Sequence, residues 1–192
     1  MTTAPPSKHE VRTQSTRKKI LDNAEALFAR DSIKGVSLRQ ITDQAGVDLA
    51  LIKYHFGSKQ DLFDAVIVRR ARVMREKREA ELDAVLTATG NQLPSVEAII
   101  SAYVSPLTDE TLFSDPGWVN YFAIIARLIH APEPKKSSVG EFLDPMIEKF
   151  VAALKLALPE ADHSDIYWCC HFMSGTLSVT FADTDRLDRV SN

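Results

Sequence analysis

Residues 37 to 59 carry the pattern that most limits how this chain can fold. Ser37 can cap a first short helix, and Ile41 lies on the inner face of that helix. Gly46 ends the helix, because glycine tolerates the left-handed backbone conformation that a sharp turn needs. Asp48 can then cap a second helix. The pattern therefore predicts two short helices held at a fixed angle by a tight turn.

The second of these helices has two contrasting faces. Ile52 and Phe56 lie one turn apart and are expected to face back towards the first helix. The opposite face combines apolar, basic and aromatic side chains, which are Leu49, Ala50, Lys53 and Tyr54. A helix-turn-helix presents its second helix in this way to the major groove of DNA. The segment is therefore interpreted as a helix-turn-helix.

Candidate DNA contacts follow from this interpretation. The base-reading residues are expected to be Leu49, Ala50 and Lys53. Lysine can donate a hydrogen bond to guanine, and the apolar side chains can contact a thymine methyl group. A tyrosine hydroxyl, a helix N-terminus and a lysine that converge suit a phosphate. The expected phosphate contacts lie at the ends of these helices and are Ser37, Arg39, Tyr54, His55 and Lys59. The alternative for Tyr54 is that it only packs on the first helix of the chain, expected at about 15–31.

The charge of the chain is unevenly divided. The net charge is −3, but residues 1–60 carry ten Lys or Arg and six Asp or Glu, which gives +4. Residues 61–192 carry thirteen and twenty, which gives −7. The positive part contains the predicted helix-turn-helix. This asymmetry favours nucleic-acid binding there and opposes it elsewhere.

The first third of the chain resembles the DNA-binding domain of the TetR/AcrR family of bacterial transcription regulators. The motifs that carry the resemblance are TRKKILDNAEALFA at 16–29, GVSLRQI at 35–41, AGV at 45–47 and YHFGSK at 54–59. Thr42 departs from the family, which usually has alanine packed at this helix crossing. The added volume and hydroxyl are expected to loosen the crossing slightly.

A weaker resemblance concerns the rest of the chain. FLDP at 142–145, YW at 167–168 and HFMSG at 171–175 are similar to the C-terminal domain of the fatty-acid-responsive PsrA-type subgroup. The resemblance implies an effector cavity among the C-terminal helices and a dimer. It also implies that a long helix transmits effector binding to the DNA-binding domain.

The periodicity of apolar residues predicts an all-α fold in three parts. These are a flexible arm over 1–14, a three-helix DNA-binding domain over 15–60 with its first helix at about 15–31, and an effector-binding and dimerisation domain over 61–192. A long helix from Lys59 to about Leu86 joins the domains, and its basic run at 69–78 is interpreted as a solvated face. Further helices are expected at 95–105, 115–131, 139–158 and 163–183. Pro145 either starts the third of these or kinks it.

An effector cavity is expected beside the apolar helix at 115–131. Its candidate walls are the aromatic and aliphatic residues Trp118, Tyr121, Phe122 and Ile125, with Tyr103, Met74 and His171 as weaker candidates. The alternative is that these side chains form ordinary core. Arg127 needs an anion if it is buried, either an internal carboxylate or a carboxylate ligand.

The helix at 163–183 is apolar on nearly all sides, which predicts that a second subunit covers it. The helix at 139–158 carries a parallel apolar stripe, so two copies of this pair would form a four-helix interface. The residues expected at this interface are Phe142, Met146, Phe150, Leu154, Trp168, Phe172, Gly175 and Val179.

The sequence contains no motif typical of a catalytic site, a metal site or a membrane span. The five histidines lack a zinc spacing, and no phosphate-cradling glycine loop occurs, so neither a cofactor nor an enzyme activity is expected. No apolar run approaches a membrane span, which predicts a cytoplasmic protein. The hypothesis is a homodimeric regulator, most simply a repressor, that binds double-stranded operator DNA and a small apolar or amphipathic effector such as a fatty acid. The alternative is a helical ligand-binding or scaffolding protein without DNA binding.

Overall fold

The computed structural model describes residues 7–110, 114–129, 138–182 and 186–191, and the regular structure in these ranges is helical. This confirms the predicted all-α class. The chain divides into two compact units, Met1–Val66 and Ile67–Asn192. The predicted boundary at residue 60 lies six residues earlier. None of the described helices is both long and apolar enough to cross a lipid bilayer.

The N-terminal unit contains α1 (Lys8–Gly35), α2 (Leu38–Ala45), α3 (Leu49–His55) and the start of α4 (Lys59–Thr89). Apolar side chains from all four helices are buried in this unit, among them Ile20, Phe28, Ile41, Ile52 and Leu62. The ring of Phe28 meets the ring of Phe63 edge-on, with the centroids 5.2 Å apart. The unit therefore has its own hydrophobic core, which fixes the angle between α2 and α3.

Helix α1 begins at Lys8, which corrects the prediction that residues 8–14 belong to a flexible arm. The Ser7 hydroxyl accepts a hydrogen bond from the Glu10 backbone N–H, and the Glu10 carboxylate accepts one from the Ser7 N–H at 2.6 Å. This capping box starts the helix where the apolar periodicity gives no signal. Residues 1–6 of the predicted arm lie outside the described residues.

The turn between α2 and α3 has the predicted chemistry. Ser37 and Gln40 form a capping box at the start of α2, and the Asp48 carboxylate accepts from the Ala50 N–H at 2.7 Å at the start of α3. Gly46 ends α2 with φ 64° and ψ 42°. Buried Thr42 donates its hydroxyl to the Arg39 carbonyl at 2.9 Å, so this unusual side chain is satisfied inside its own helix.

Gly46→Ala is expected to destabilise the protein by about 1–2 kcal/mol, because an L-residue in the left-handed region brings its Cβ against the backbone. Gly35→Ala is the matched control. Its added Cβ would meet Asp31 Cβ at an ordinary 3.5 Å, so this change should be neutral or slightly stabilising. Urea unfolding of the two variants measures the difference. Equal stability of the variants would contradict the role of the turn.

The C-terminal unit contains the rest of α4, then α5 (Val96–Val104), a short 3₁₀ helix (Ser105–Thr108), α6 (Gly117–Ile129), α7 (Ser138–Ala157), α8 (His163–Phe181) and α9 (Arg186–Ser191). Helix α8 packs against α6 and α7, and α5 packs against α7. The short α9 was not predicted. Pro145 lies inside α7, seven residues after its first residue, so of the two predicted alternatives the structure has the helix that begins before Pro145.

The apolar stripe of α7 faces the core of its own chain, which corrects part of the predicted dimer interface. Met146, Phe150 and Leu154 are buried in a cluster with Leu82 of α4 and Ile99 of α5. Phe150 retains only 2% of its accessible surface. A helical stripe predicts that a face is buried but does not indicate whether the same chain or a partner covers it.

Phe142, the first residue of that predicted stripe, is half-buried against its own chain. The Arg75 guanidinium lies 5.5 Å from the centroid of its ring, and Arg75 Nη1 donates to the Phe142 carbonyl at 3.4 Å. These contacts attach α7 to α4 within one subunit.

Candidate functional site

Helix α3 exposes the residues that the sequence predicted as base readers. Leu49 keeps 51% of its accessible surface, and Ala50 and Lys53 are exposed as well. Ile52 on the opposite face is fully buried. Leu49, Ala50 and Lys53 therefore share the open face of α3 that the sequence predicted.

Tyr54 is 73% exposed, which removes the alternative that it packs on α1. Its ring meets the His55 ring edge-on, with the centroids 4.9 Å apart. Burial lowers the pKa of His55, and the positive charge of Arg17 lowers it further. His55 is therefore neutral at pH 7. It can offer a phosphate one N–H donor but no charge.

Lys59 has a structural bond that the sequence did not reveal. Its ammonium group donates to the Val36 carbonyl at 3.0 Å and so ties the start of α4 to the connection between α1 and α2. An ammonium group has three N–H donors, so two remain for a phosphate.

Two phosphate contacts were predicted at the start of α2, and the structure gives them different environments. The Ser37 hydroxyl donates to Gln40 Oε1 at 2.8 Å, so its hydrogen already serves the capping box. Arg39 is exposed.

A cavity of about 860 Å³ lies in the C-terminal unit, lined from α4, α5, α6, α7 and α8. Three of the four predicted wall residues line it, together with all three of the weaker candidates. These residues are Tyr103, Tyr121, Phe122, Ile125, Met74 and His171. Most of the predicted set is therefore brought together around one space.

Two predicted ligand-binding residues, one wall and the candidate anion partner, lie elsewhere. Trp118 is buried under Arg70, whose guanidinium lies 5.2 Å from the centroid of the indole and pairs with Asp115 at 2.6 Å. It sits in the first turn of α6, before the cavity begins. Arg127 is exposed and is absent from the described walls, because two residues after Ile125 a helix faces nearly the opposite way.

The buried cation of this cavity is Arg78, which belongs to the basic run of α4 that its charge density predicts to be solvated. Only 8% of its surface is accessible. Its Nε donates to the Tyr103 carbonyl at 2.8 Å, and its guanidinium lies 3.7 Å from the centroid of the Tyr103 ring. The missed signal is periodic, because Ala71, Met74, Arg78 and Leu82 share one buried face of α4.

Tyrosine hydroxyls add polar groups to these walls. Tyr103 shares a 2.9 Å hydrogen bond with the Ser174 hydroxyl of α8. Burial raises the pKa of Tyr121 far above its usual value, although the positive charge of Arg78 opposes the shift. The Tyr121 phenol is therefore protonated and can donate a hydrogen bond into the cavity.

One face of α8 is apolar and exposed. Trp168 keeps 57% of its accessible surface and Phe172 63%, and their rings stack with centroids 5.7 Å apart. The predicted interface residues Gly175 and Val179 follow at helical spacing and are half-buried. We call Trp168, Phe172, Gly175 and Val179 the α8 face. A patch of two large aromatic rings in contact is typical of a surface that a partner covers.

Within the described ranges, no group of three His, Cys, Asp or Glu side chains is placed to hold a metal ion.

Comparison with known proteins gives two family matches. Residues 20–66 match the family of bacterial regulatory proteins named after tetR, and residues 101–192 match the tetracyclin repressor-like C-terminal domain. The HTH-type transcriptional regulator AcrR of Shigella flexneri is 42% identical over 53 residues, which are 28% of this chain and 25% of that protein.

Solved structures share the fold across most of the chain. NalD, the secondary repressor of the MexAB-OprM multidrug efflux pump in Pseudomonas aeruginosa, is 21% identical, with a TM-score of 0.54 over 92% of this chain and 88% of its own. A protein from Shewanella sp. PV-4 assigned to the tetR family of transcription regulators is 16% identical, with a TM-score of 0.62 over 92% and 90%. One family match lies at the DNA-binding end and the other covers α6 to α9, and both describe the same family. This chain therefore belongs to the TetR family of transcriptional regulators.

Proposed function

We propose that this regulator binds a pseudo-palindromic operator as a homodimer, with α3 of each subunit in a major groove. The observation that carries the proposal is the exposed face of α3, where Leu49, Lys53 and Tyr54 point away from a buried Ile52. Lysine and leucine can read base edges, while the Tyr54 hydroxyl and the Lys59 ammonium hold phosphates. The +4 charge of residues 1–60 favours this end for the contact.

Dimerisation is supported by the α8 face. Burying Trp168 and Phe172 against a second copy would remove two large aromatic rings from water. A two-fold dimer has two DNA-binding units, and helix-turn-helix dimers bind half-sites about 34–36 Å apart, one turn of the duplex. The same contact fits a pseudo-palindromic operator, because protein symmetry and operator symmetry match.

The proposed effector is a small apolar or amphipathic molecule that occupies the cavity and releases the repressor from DNA. Helix α4 supports a path for this effect, because it contributes Lys59 to the N-terminal unit and Met74 and Arg78 to the cavity walls. An effector acts only if its affinity differs between the DNA-binding shape and the released shape. A fatty acid is one candidate effector, because residues 142–145 and 171–175 resemble the fatty-acid-responsive PsrA-type subgroup.

The proposal is tested with the DNA upstream of the protein's own gene, labelled and titrated with protein in a fluorescence anisotropy assay. We expect specific binding that weakens steeply with salt. A panel of fatty acids, their acyl thioesters and neutral analogues is then added. At least one member should raise the melting temperature and release the DNA.

Ile125→Trp fills part of the cavity and should block release of the DNA without changing operator affinity. Its control is Val119→Trp on the same helix, because Val119 is absent from the described walls. A complete lack of operator binding would refute the regulator proposal. Operator binding without a thermal shift from any panel member would refute only the fatty-acid candidate.

The rival proposal is a ligand-binding or scaffolding protein that has lost DNA binding. The exposed α3 face and the intact tie between Lys59 and Val36 favour the regulator. The TetR family consists of transcriptional regulators and not of enzymes, and a regulator of this kind acts in the cytoplasm, where bacterial DNA is found.

A further inference from the structure

Arg78 is a buried charge whose partner is missing from the described part of the chain. A guanidinium taken out of water is costly unless an anion or several acceptors surround it. Among the described residues, Arg78 makes one hydrogen bond, from Nε to the Tyr103 carbonyl, and one contact with the face of the Tyr103 ring. A neutral carbonyl and a ring face do not neutralise the charge.

The described walls of the cavity include one acidic side chain, but it does not neutralise the charge of Arg78. Asp144 is the one carboxylate on the described walls of the cavity, and it is exposed. No ion pair joins it to Arg78. The two terminal nitrogens of Arg78 thus have no acceptor among the described residues. Together they carry four N–H donors beside an open space.

The groups around Arg78 complete a binding site of mixed character. The protonated Tyr121 phenol lies close enough for its charge state to be coupled to that of Arg78. The remaining walls of the cavity include the apolar side chains of Phe122, Ile125 and Leu128. Arg78 is the only Lys or Arg on the described walls, so the site offers one positive charge and a large apolar volume.

We propose that Arg78 binds the carboxylate of a singly charged, amphipathic effector, with the Tyr121 hydroxyl as a second donor and the apolar body of the effector against α6. The planar guanidinium suits a two-point contact with a carboxylate. One cation balances a carboxylate but leaves a doubly charged phosphate half-neutralised, which selects the carboxylate. This inference rests on the proposed effector cavity and identifies the chemical class of its ligand.

The test is calorimetric titration of the full-length protein, without DNA, with matched ligands. The straight-chain series is decanoate, decanamide and decylamine, and the aromatic series is 1-naphthoate and 1-naphthamide. We expect each carboxylate to bind at least tenfold more tightly than its amide, because charge-assisted hydrogen bonds are the stronger kind. The amine should bind most weakly of all. Equal affinity of acid and amide, or no binding in either series, overturns the proposal.

Arg78→Met keeps an unbranched apolar stem and removes the guanidinium with its charge. It should reduce the affinity for the carboxylates at least tenfold and leave the amides unchanged, so that the preference disappears. Arg127→Met removes an exposed arginine from α6 and should preserve the preference. Unchanged carboxylate affinity in a folded Arg78→Met protein overturns the proposal. The wild-type preference of acid over amide decides the question if this variant does not fold.

Operator binding is measured separately on the same preparations. A protein that prefers carboxylates but binds no operator would uphold the role of Arg78 and refute the regulator proposal. A protein that binds its operator but does not prefer acids over amides would uphold the regulator proposal and refute the role of Arg78.

Discussion

Alanine at both Lys53 and Tyr54 is expected to lower operator affinity roughly a hundredfold or more, because a base contact contributes about 1–3 kcal/mol and a phosphate contact adds to it. Lys53→Ala alone should weaken discrimination at one base pair. Tyr54→Ala alone should weaken binding to every sequence. Both side chains are exposed, so the melting temperature should not change. Anisotropy titrations against the operator and single-base variants measure these effects.

Arg189→Ala provides the control for charge, because it removes one exposed cation from the C-terminal unit. It should leave operator affinity within twofold of the wild type. Lys59→Ala is less informative, since it also removes the bond to the Val36 carbonyl. Wild-type affinity in the Lys53/Tyr54 double variant would refute the docking of α3.

Glutamate at both Trp168 and Phe172 is expected to convert the protein into a monomer and to abolish operator binding with it. The two rings are exposed in one subunit, so the substitution does not disturb that subunit's core. At a dimer interface, two carboxylates per subunit would lose water without gaining partners, which disfavours association strongly. Sedimentation velocity at micromolar concentration measures the change.

The control for this prediction is Leu93→Glu. Leu93 is 66% exposed, but it lies in the connection between α4 and α5 and is not part of the α8 face. This variant should sediment as the wild type does. A wild-type protein that is monomeric, or a dimer that persists with both glutamates, would show that the α8 face does not join two subunits. Phe150 is unsuitable for such a test, since its substitution would damage the core of each subunit.

Helix boundaries and the turn between α2 and α3 could be predicted because their causes are local in sequence. Ser37, Gly46 and Asp48 each perform the predicted task within four residues of their own position. Helix α8 was expected at 163–183 and runs from His163 to Phe181. The start of α1 was missed, although the capping pair that causes it is also local.

The cavity was predicted less well, because its walls come from five helices whose arrangement depends on packing between distant segments. Tyr121, Phe122 and Ile125 were found by their spacing on one helix. Trp118 has the same spacing, but it packs one turn too early to reach the space. Arg78 was missed since a dense basic run usually faces water, and only its alignment with Met74 and Leu82 distinguishes it.

The two tryptophans of this chain lie in opposite environments, and this gives the protein two natural fluorescent reporters. Trp118 is buried beneath the Arg70–Asp115 ion pair, which connects α4 to the start of α6. Its emission responds to movement between those two helices. Trp168 lies open to water on α8 and also lines the cavity, so its emission and its access to a soluble quencher respond both to coverage of that helix and to occupation of the cavity. Single-tryptophan variants can therefore follow the contact between α4 and α6 through Trp118, and the exposed side of α8 through Trp168, with no attached dye.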